Sequence, residues 1–476
     1  MKLLINGEWR DSVSGEAFAV YNPATGDVVG EAPLGGEDDV RSAVEAAGEA
    51  LTDWSAKNPR DRAKILFFAA EEVRRRNREL GSLLTTEQGK PIREAVDEIN
   101  GFANILEYYY ALSAGERGEF LDLRGYGHTI VHRRPLGICG AIVPWNMPAI
   151  IMGWKIGPAL VAGNTMVLKP ARTAPLTCGK LAEILEEAGL PPGVLNVVTG
   201  PGETVGREIA RNPAIRKVSF TGEGETGRQV ALDAAPALKQ VTLELGGSDP
   251  MIVCDDADIQ MAVEGVIRGR FYNCGQTCTA VKRLYVYESI ADEFIRRLTA
   301  RVEAIVVGNG MERGVSMGPL NNRPGLERLV RQVNAARERD EGKVIAGGKA
   351  PEGKKYERGF FFLPTLITGV AHDSVLFSEE VFGPVLPIAT VTGLDEALEL
   401  ANDSRYGLGA SVWTRSADVI ARATGELEAG IVWVNQHLRT PPEVPFGGTK
   451  ESGIGRENGS RALDEYTEEK AVLIQL

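Results

Sequence analysis

Cysteine and histidine are scarce in this sequence, which has 5 cysteines and 4 histidines among its 476 residues. An odd, scattered set of thiols does not fit a disulfide framework, and the first ten residues lack the apolar core of an export signal. We therefore expect reduced thiols and a cytoplasmic protein. Cys274 and Cys278 lie close together, but no second Cys/His pair has ligand spacing, so no metal site is expected.

The sequence also lacks an excess of basic residues and any long apolar run. Lysine and arginine number 53 against 65 aspartates and glutamates, which gives a formal net charge of −12. A nucleic-acid backbone is bound through a basic stripe, and the interleaved charges of this chain form none. No apolar run approaches the roughly 20 residues of a membrane span. We expect a soluble protein whose partners include neither nucleic acid nor a membrane.

The composition that is present is that of a globular protein, with 43% hydrophobic and 25% charged residues. Its length predicts roughly two to three domains. Apolar residues spaced by three and four predict an amphipathic helix over 38–54, with Asp38 or Asp39 as its cap. A second, arginine-rich helix is predicted over 60–80.

Strands and helices alternate between residues 165 and 243. Strands are predicted at 165–169, 194–198, 217–220 and 240–243, and helices at 176–188, at 203–210 and after Gly224. This alternation predicts an α/β fold with a parallel sheet, in which ligands bind at the carboxyl ends of the strands. A second alternation begins after Gly247 and marks a domain boundary. It includes a strand at 251–254 and a helix at 290–302, and further strands are predicted at 407–413, 430–435 and 471–476.

Three segments carry candidate chemistry. The turn 200–206, with Gly202 and Gly206, joins a strand to a helix, so it is either a phosphate-binding turn or simply a tight connection. Glu244 ends an apolar strand, where it is either a buried base with a raised pKa or the partner of a local salt bridge. Cys278 lies in a polar loop, unlike Cys254 among its apolar neighbours, and is a candidate nucleophile.

Eight motifs occur in the order and spacing of the aldehyde dehydrogenase superfamily, which the sequence resembles over essentially its whole length. They are PWNMP (144–148), KPA (169–171), FTG (220–222), ELGG (244–247), GQTC (275–278), EVFGP (380–384), PFGGTK (445–450) and SGIGRE (452–457). The resemblance implies a Rossmann-like nucleotide-binding domain (1–115 and 134–246), an α/β catalytic domain (247–445) and a small β oligomerisation arm (116–133 and 458–476).

The resemblance also implies a reaction, the NAD(P)-dependent oxidation of an aldehyde to a carboxylic acid. Cys278 resembles the nucleophile that becomes a thioester, and Asn146 resembles the oxyanion donor beside the Cys278 backbone N–H. Glu244 resembles the base that activates water to hydrolyse the thioester. A CoA-acylating relative typically lacks this glutamate, and a silent homologue would have lost catalytic positions that are all present here.

The cofactor is predicted to be NAD+ or NADP+. The positions that match cofactor contacts are Pro144, Trp145, Lys169, Arg172, Gly202, Gly206, Phe220, Thr221, Gly222, Glu223, Leu245, Gly246, Glu380 and Phe382. Two of them depart from the common pattern. Arg172 replaces a glutamate at the adenosine ribose, so it either accepts a 2′-phosphate or is simply solvated. Glu223 replaces a serine near the phosphates; it favours NAD+ if it faces the same ribose. We expect tolerance of NADP+ and a Glu223 side chain that turns away from the pyrophosphate.

The substrate pocket is implied only by the resemblance. Its predicted lining is Met147, Ile151, Trp154, Tyr272, Thr277, Thr279, Arg439, Thr440 and Phe446. Arg439 or His437 would pair with a carboxylate or hydroxyl on the substrate, or Arg439 is solvated. A small aliphatic or hydroxy-aldehyde, a semialdehyde and an aromatic aldehyde all stay open. Family members assemble through the small β arm, so the resemblance implies a homodimer or homotetramer; the apolar tail 471–476 would otherwise be an exposed strand edge.

Overall fold

The structure is a computed structural model that describes residues 1–115, 118–123, 127–339 and 341–475. Of the expected arm, Glu116, Arg117, residues 124–126 and Leu476 therefore lie outside the described residues. In the described part the chain forms fourteen α-helices: α1 (Glu37–Ala56), α2 (Pro59–Arg75), α3 (Asn77–Gln88), α4 (Ile92–Leu112), α5 (Pro148–Ala162), α6 (Leu176–Glu187), α7 (Arg207–Arg211), α8 (Gly224–Ala234), α9 (Ile259–Phe271), α10 (Glu288–Glu303), α11 (Arg323–Glu338), α12 (Val375–Ser378), α13 (Leu394–Asn402) and α14 (Ala417–Glu426).

The same residues form twenty-two strands: β1 (Leu3–Ile5), β2 (Glu8–Arg10), β3 (Ala17–Tyr21), β4 (Val28–Pro33), β5 (Glu119–Leu123), β6 (Gly127–Pro135), β7 (Ile138–Ile142), β8 (Thr165–Lys169), β9 (Leu195–Val197), β10 (Ile215–Thr221), β11 (Gln240–Glu244), β12 (Asp249–Val253), β13 (Val281–Tyr287), β14 (Lys343–Ala346), β15 (Thr365–Thr368), β16 (Val385–Val391), β17 (Tyr406–Gly407), β18 (Gly409–Trp413), β19 (Ile431–Val434), β20 (Thr449–Lys450), β21 (Gly453–Ile454) and β22 (Thr467–Ile474).

The first large sheet has eight strands in the order β2-β1-β9-β8-β7-β10-β11-β21. The five from β9 to β11 run parallel, and antiparallel β1 and β21 flank them. Apolar side chains of α2, α4, α5 and α6 pack in one core cluster, and those of α1, α7 and α8 pack in another. A parallel sheet buried in this way needs apolar strands, and every residue of β7, β8 and β9 is buried.

The second large sheet has seven strands in the order β14-β15-β16-β13-β12-β18-β19. Its strands are parallel except for β14. A separate apolar cluster, which includes Phe294 and Leu298 of α10, forms its core. The α/β prediction is confirmed, and β12 begins the second sheet five residues after β11 ends the parallel part of the first.

A third sheet, with three antiparallel strands in the order β22-β6-β5, projects exposed apolar side chains. Phe120 is 63% exposed and Leu473 is 70% exposed. Elsewhere, no helix in the described ranges is both long enough and apolar enough to cross a bilayer.

Three helix boundaries differ from the sequence prediction. Helix α1 begins after Gly36, because Asp39 turns back to accept a hydrogen bond from the Gly36 N–H at 3.0 Å. The long helix predicted over 60–80 is two helices, since the chain bends at Arg76, where φ is −100° and ψ is 13°. The helix predicted from residue 203 starts as a π-helical turn over 202–206 and becomes α7 only at Arg207.

Candidate active site

A cavity of about 300 Å³ lies where the first large sheet meets the second. The three predicted catalytic residues, Cys278, Glu244 and Asn146, all border it. So do nine of the predicted cofactor positions: Pro144, Trp145, Thr221, Gly222, Glu223, Leu245, Gly246, Glu380 and Phe382. Thr221 ends β10 and Glu244 ends β11, so the cavity opens at the carboxyl ends of parallel strands.

The Cys278 loop is shaped by three consecutive left-handed residues. Asn273, Cys274 and Gly275 have φ values of 50°, 57° and 71°. A β-carbon on Gly275 would lie 2.3 Å from the carbonyl oxygen of Gly383, so only glycine fits the turn. The turn brings the half-buried Cys278 to the cavity. Burial raises the pKa of its thiol to about 12, opposed by the nearby Lys282 ammonium.

Asn146 is held by a buried polar network. Its backbone carbonyl oxygen accepts hydrogen bonds from Lys90 Nζ at 2.7 Å and from Asn273 Nδ2 at 2.9 Å. Its own Nδ2 donates to the carbonyl oxygen of Gln276 at 3.1 Å. An amide nitrogen carries two hydrogens, so one stays available for an oxygen beside Cys278. Sequence reasoning missed Lys90, whose ammonium is buried in an ion pair with Glu98.

Glu244 is an isolated buried carboxyl. It is 2% exposed, and neither of its oxygens accepts a hydrogen bond from any residue that the structure describes. Burial raises the pKa of Glu244 well above its ordinary value, and the Glu457 carboxylate raises it further. The raised pKa that the sequence predicted for Glu244 is therefore present, and no residue that the structure describes forms the alternative local salt bridge with it; its role as a base stays a prediction.

Behind Glu244, α5 supplies a buried lysine. Lys155 Nζ donates to Ser219 Oγ at 2.8 Å and to Thr221 Oγ1 at 2.9 Å, and it pairs with Glu457. Sequence reasoning missed Lys155, although a lone lysine among the apolar residues of 148–162 was a signal. A charged side chain persists in such a place only when acceptors surround it.

Glu380 and Phe382 face the cavity from the second domain. Glu380 Oε1 lies 3.0 Å from Lys282 Nζ and accepts a hydrogen bond from the Gly247 N–H at 3.2 Å. The Phe382 ring stands edge-on to the Trp145 ring, with centroids 5.6 Å apart and planes at 88°. The β-carbon position of Gly246 lies 2.3 Å from Glu380 Oε2, so a glycine there keeps the cavity open beside the carboxylate.

The other five predicted cofactor positions do not line this cavity: Lys169, Arg172, Gly202, Gly206 and Phe220. Lys169 is buried near Gly206, whose β-carbon position is 3.7 Å from Lys169 Cδ. Burial lowers the pKa of Lys169 to about 8. The exposed Arg172 stacks its guanidinium 4.9 Å from the Phe18 ring centroid.

Glu223, by contrast, does border the cavity. Its carboxylate oxygen accepts a hydrogen bond from Arg328 of α11 at 2.9 Å, and both side chains are more than half exposed. The pair therefore links the segment after β10 to α11 at the rim of the cavity.

The predicted substrate residues divide into an apolar wall and a set of polar supports. Trp154 and Phe446 stack with centroids 4.7 Å apart, in the same apolar cluster as Met147, Ile151 and Cys278. Tyr272 donates from its hydroxyl to the Glu94 carbonyl oxygen at 3.4 Å. Of the remaining predicted residues, Thr277 and Thr279 are buried on either side of Cys278, whereas Thr440 is half-buried and Arg439 is exposed in the 435–440 loop.

His437 does not present its ring to a substrate. The ring is buried, with Nε2 2.8 Å from the Thr279 carbonyl oxygen and Nδ1 2.9 Å from Ser411 Oγ. Burial lowers the pKa of His437 to about 4, so the imidazole is neutral and braces the loop after Cys278. Arg439 is exposed, and its carbonyl oxygen accepts a hydrogen bond from Trp433 Nε1 at 2.7 Å.

Comparison with known proteins places this geometry among aldehyde-oxidising enzymes. The model of the aldehyde dehydrogenase family matches residues 9–472. The chain is 42% identical to a phenylacetaldehyde dehydrogenase of Pseudomonas fluorescens, covering 99% of this chain and 95% of that protein. It is 40% identical to the NADP(+) succinate-semialdehyde dehydrogenase GabD of Escherichia coli, covering 99% and 97%. A betaine aldehyde dehydrogenase from Staphylococcus aureus, solved with NAD+, superposes with a TM-score of 0.97 at 33% identity, covering 100% of this chain and 96% of that one.

Proposed function

As a member of the aldehyde dehydrogenase family, this chain oxidises an aldehyde to a carboxylic acid with NAD+ or NADP+, and we propose that it does so through a thioester on Cys278 that water hydrolyses with Glu244 as the base. The observation that carries the proposal is the Glu244 carboxyl, which is buried without a hydrogen-bond partner among the described residues and borders the same cavity as Cys278.

The first step forms a carbon–sulfur bond. The Cys278 thiol gives its proton to water, Sγ adds to the aldehyde carbon, and the carbonyl π pair moves to oxygen. The free N–H of Asn146 and the backbone N–H of Cys278 supply the donors for that oxygen. One such donor typically contributes about 3–4 kcal/mol to stabilisation of the transition state.

The second step is oxidation. The oxygen lone pair re-forms the carbonyl, the aldehyde hydrogen leaves with its electron pair, and a thioester to Cys278 is left. A bound oxidised nicotinamide supplies the hydride acceptor. The residues present fit such a group, because Gly246 leaves open the space beside Glu380 and the Trp145 and Phe382 rings border the same cavity.

The third step is hydrolysis. Glu244 takes a proton from water, the oxygen adds to the thioester carbonyl, and the carbon–sulfur bond breaks as the thiol regains a proton. A carboxyl whose pKa is raised is the stronger base for this step. Water, rather than CoA, is the acceptor in this proposal, and the retained Glu244 supports that choice.

Substitution of Glu244 tests the proposal directly. In Glu244→Gln, one equivalent of reduced nicotinamide should form rapidly and turnover should then stop, because the thioester accumulates on Cys278. Mass spectrometry of the intact protein checks for the acyl adduct, and Cys278→Ala should give neither burst nor adduct. Steady turnover by Glu244→Gln, or a strict requirement for CoA in the wild type, would overturn the assignment.

We propose further that the enzyme accepts NADP+ as well as NAD+. The Arg172 guanidinium is exposed near the buried Lys169 ammonium, and two cations together favour a 2′-phosphate. Arg172→Ala should weaken NADP+ binding about tenfold and leave NAD+ binding within about twofold. Fluorescence titration with both cofactors measures this, and equal losses for both would show that Arg172 does not discriminate.

The substrate that the apolar wall supports best is an aldehyde with an aromatic or bulky apolar arm. The stacked Trp154 and Phe446 rings share one apolar cluster with Cys278, and a phenylacetaldehyde dehydrogenase is among the relatives. We expect phenylacetaldehyde to exceed succinate semialdehyde in kcat/KM, and Trp154→Ala to reverse or remove that preference. An initial-rate panel of aldehydes against both cofactors checks it; a preference for the semialdehyde would point to Arg439 instead.

A further inference from the structure

Lys282 on β13 is a fully buried lysine directly behind the nucleophile loop. Its side chain has no exposed surface. Its ammonium donates hydrogen bonds to the carbonyl oxygens of Thr277 at 3.1 Å and of Cys278 at 2.6 Å. Its third partner is Glu380 Oε1 at 3.0 Å. All three ammonium hydrogens are therefore used, which is what the burial of a charge requires.

These contacts hold one carboxylate oxygen of Glu380 in place, while the other oxygen faces the cavity. Oε1 is held by Lys282 and by the Gly247 N–H. Oε2 faces Gly246 at the cavity, where a β-carbon would lie only 2.3 Å away. Since Oε1 has two partners, the carboxylate cannot rotate freely, and it presents a single oxygen to a group bound in the cavity.

The titratable groups around Lys282 are mostly carboxyl groups. Three carboxyl groups, Glu244, Asp249 and Glu380, raise the pKa of the Cys278 thiol, and Lys282 lowers it. Asp249 is buried with a pKa raised to about 8 by burial, opposed first by Lys282 and also by Arg283. The remaining titratable neighbour, His437, has a lowered pKa to which Lys282 contributes, so it adds no second cation.

We propose that Lys282 is a positioning residue for both halves of the reaction: it fixes the Glu380 carboxylate toward the cofactor and, through the same ammonium, holds the Cys278 loop and favours the thiolate. This inference rests on the proposed role of Cys278. Under it, a single buried cation, Lys282, couples cofactor binding to the reactivity of the Cys278 thiol. A purely structural lysine, which only offsets Asp249 during folding, would influence neither.

The variant Lys282→Met keeps the length of the side chain and removes its charge. We expect it to weaken NAD+ binding about tenfold, because Glu380 loses its anchor, and to slow alkylation of Cys278 by iodoacetamide about tenfold at about pH 8, because the thiol loses its nearest cation. Fluorescence titration measures the NAD+ affinity and mass spectrometry measures the alkylation rate. Neither measurement requires turnover, so both are independent of the role of Glu244. Lys282→Arg should recover most of the alkylation rate.

Lys217→Met is the matched control. Lys217 is also fully buried, but its ammonium donates to Thr242 Oγ1 at 2.7 Å in the first sheet. This variant should lose thermal stability while NAD+ affinity and the alkylation rate stay within about twofold of the wild type. If Lys282→Met resembles Lys217→Met in all three measurements, the lysine is structural and the proposal is wrong.

A folding defect in Lys282→Met would have its origin in the uncompensated Asp249. The double variant Lys282→Met with Asp249→Asn removes both charges and should fold. The expected loss of NAD+ affinity applies to it unchanged, whereas the alkylation rate should fall less than in Lys282→Met, because Asp249 also raises the pKa of the Cys278 thiol. A wild-type NAD+ affinity in the double variant would overturn the proposal.

Discussion

At the scale of single residues, the proposed role of Glu244 as the base makes the pKa of its carboxyl a quantity that can be tested. Glu457 raises it, so Glu457→Gln should lower the pKa of Glu244 toward its ordinary value. The base acts when deprotonated, so hydrolysis of the thioester falls as pH drops through this pKa. The substitution should therefore move the acidic limb of the hydrolysis rate to lower pH. Stopped-flow measurement of thioester decay across pH checks it; a limb that stays in place or moves to higher pH contradicts the assignment.

Glu223 offers a second test at this scale. Its exposed bridge to Arg328 places a carboxylate at the cavity rim and occupies an arginine. If the cofactor phosphates bind near this rim, as the sequence predicts, the carboxylate repels them. Exposed ion pairs contribute at most about 1 kcal/mol, so Glu223→Ser should tighten NAD+ binding only about two- to threefold, and less at high salt. Titration calorimetry at two ionic strengths measures this. Glu225→Ser removes a carboxylate two residues along the chain and should change the NAD+ affinity little. An equal gain of NAD+ affinity in Glu225→Ser would show that the effect comes from net charge alone.

At the scale of elements, the left-handed turn before Cys278 decides where the thiol sits. Gly275→Ala places a β-carbon against the Gly383 carbonyl at a φ of 71°. We expect a loss of about 1–3 kcal/mol in unfolding free energy and slower alkylation of Cys278. Gly425→Ala, on a helix with open space around it, should leave both measurements unchanged or slightly raise stability. Chemical denaturation and the alkylation rate distinguish the two variants, and a Gly275→Ala protein that matches the control would contradict the role of the turn.

The beginning of α6 depends on a residue distant in sequence. Both oxygens of buried Glu87 accept backbone hydrogen bonds at 2.8 Å, from the Leu176 and Thr177 N–H groups. Loss of this cap in Glu87→Ala should cost about 1–2 kcal/mol. Burial raises the pKa of Glu87 to about 7, above its unfolded value of 4.5.

The sign of the pH dependence follows from that shift. Between about pH 4.5 and 7 the unfolded carboxyl is ionised while the folded one keeps its proton, so the stability that Glu87 contributes falls as pH rises through this window. Urea denaturation of wild type and Glu87→Ala across pH measures the difference. Asn58→Ala, which removes the exposed cap of α2, should show no such dependence; a parallel change in both variants would mean that Glu87 does not titrate.

At the scale of the whole molecule, we propose that the three-stranded arm joins two copies of the chain into a homodimer, or a dimer of dimers. Exposed apolar side chains on outer strands are a liability unless another surface covers them. The wild type should have at least twice the monomer mass by light scattering, and Phe120→Asp combined with Leu473→Asp should shift it toward the monomer. Val13→Asp, equally exposed outside the arm, is the control. A wild type that is monomeric at micromolar concentration contradicts the proposal.

Much of the alternating architecture followed from local pattern. The strands at 165–169, 215–221 and 240–244 are mostly buried, as a covered parallel sheet requires, and the helices between them have apolar faces. The predicted helix boundaries were wrong where a single residue interrupted the apolar periodicity of a helix. At Arg76 the chain bends between two helices. Helix α1 begins after Gly36, whose backbone N–H donates a hydrogen bond to the Asp39 carboxylate.

The sequence by itself determined which residues could react and on which strand ends they would lie, because motif spacing and strand periodicity are local properties. Only the tertiary structure decided what surrounds them. Glu244 has no hydrogen-bond partner in the part of the chain that the structure describes, Lys282 joins Cys278 to Glu380, and the neutral His437 ring holds the loop after Cys278. The reason is that pKa and orientation depend on burial and on charges that meet from distant segments, such as the 213 positions that separate Glu457 from Glu244 along the chain.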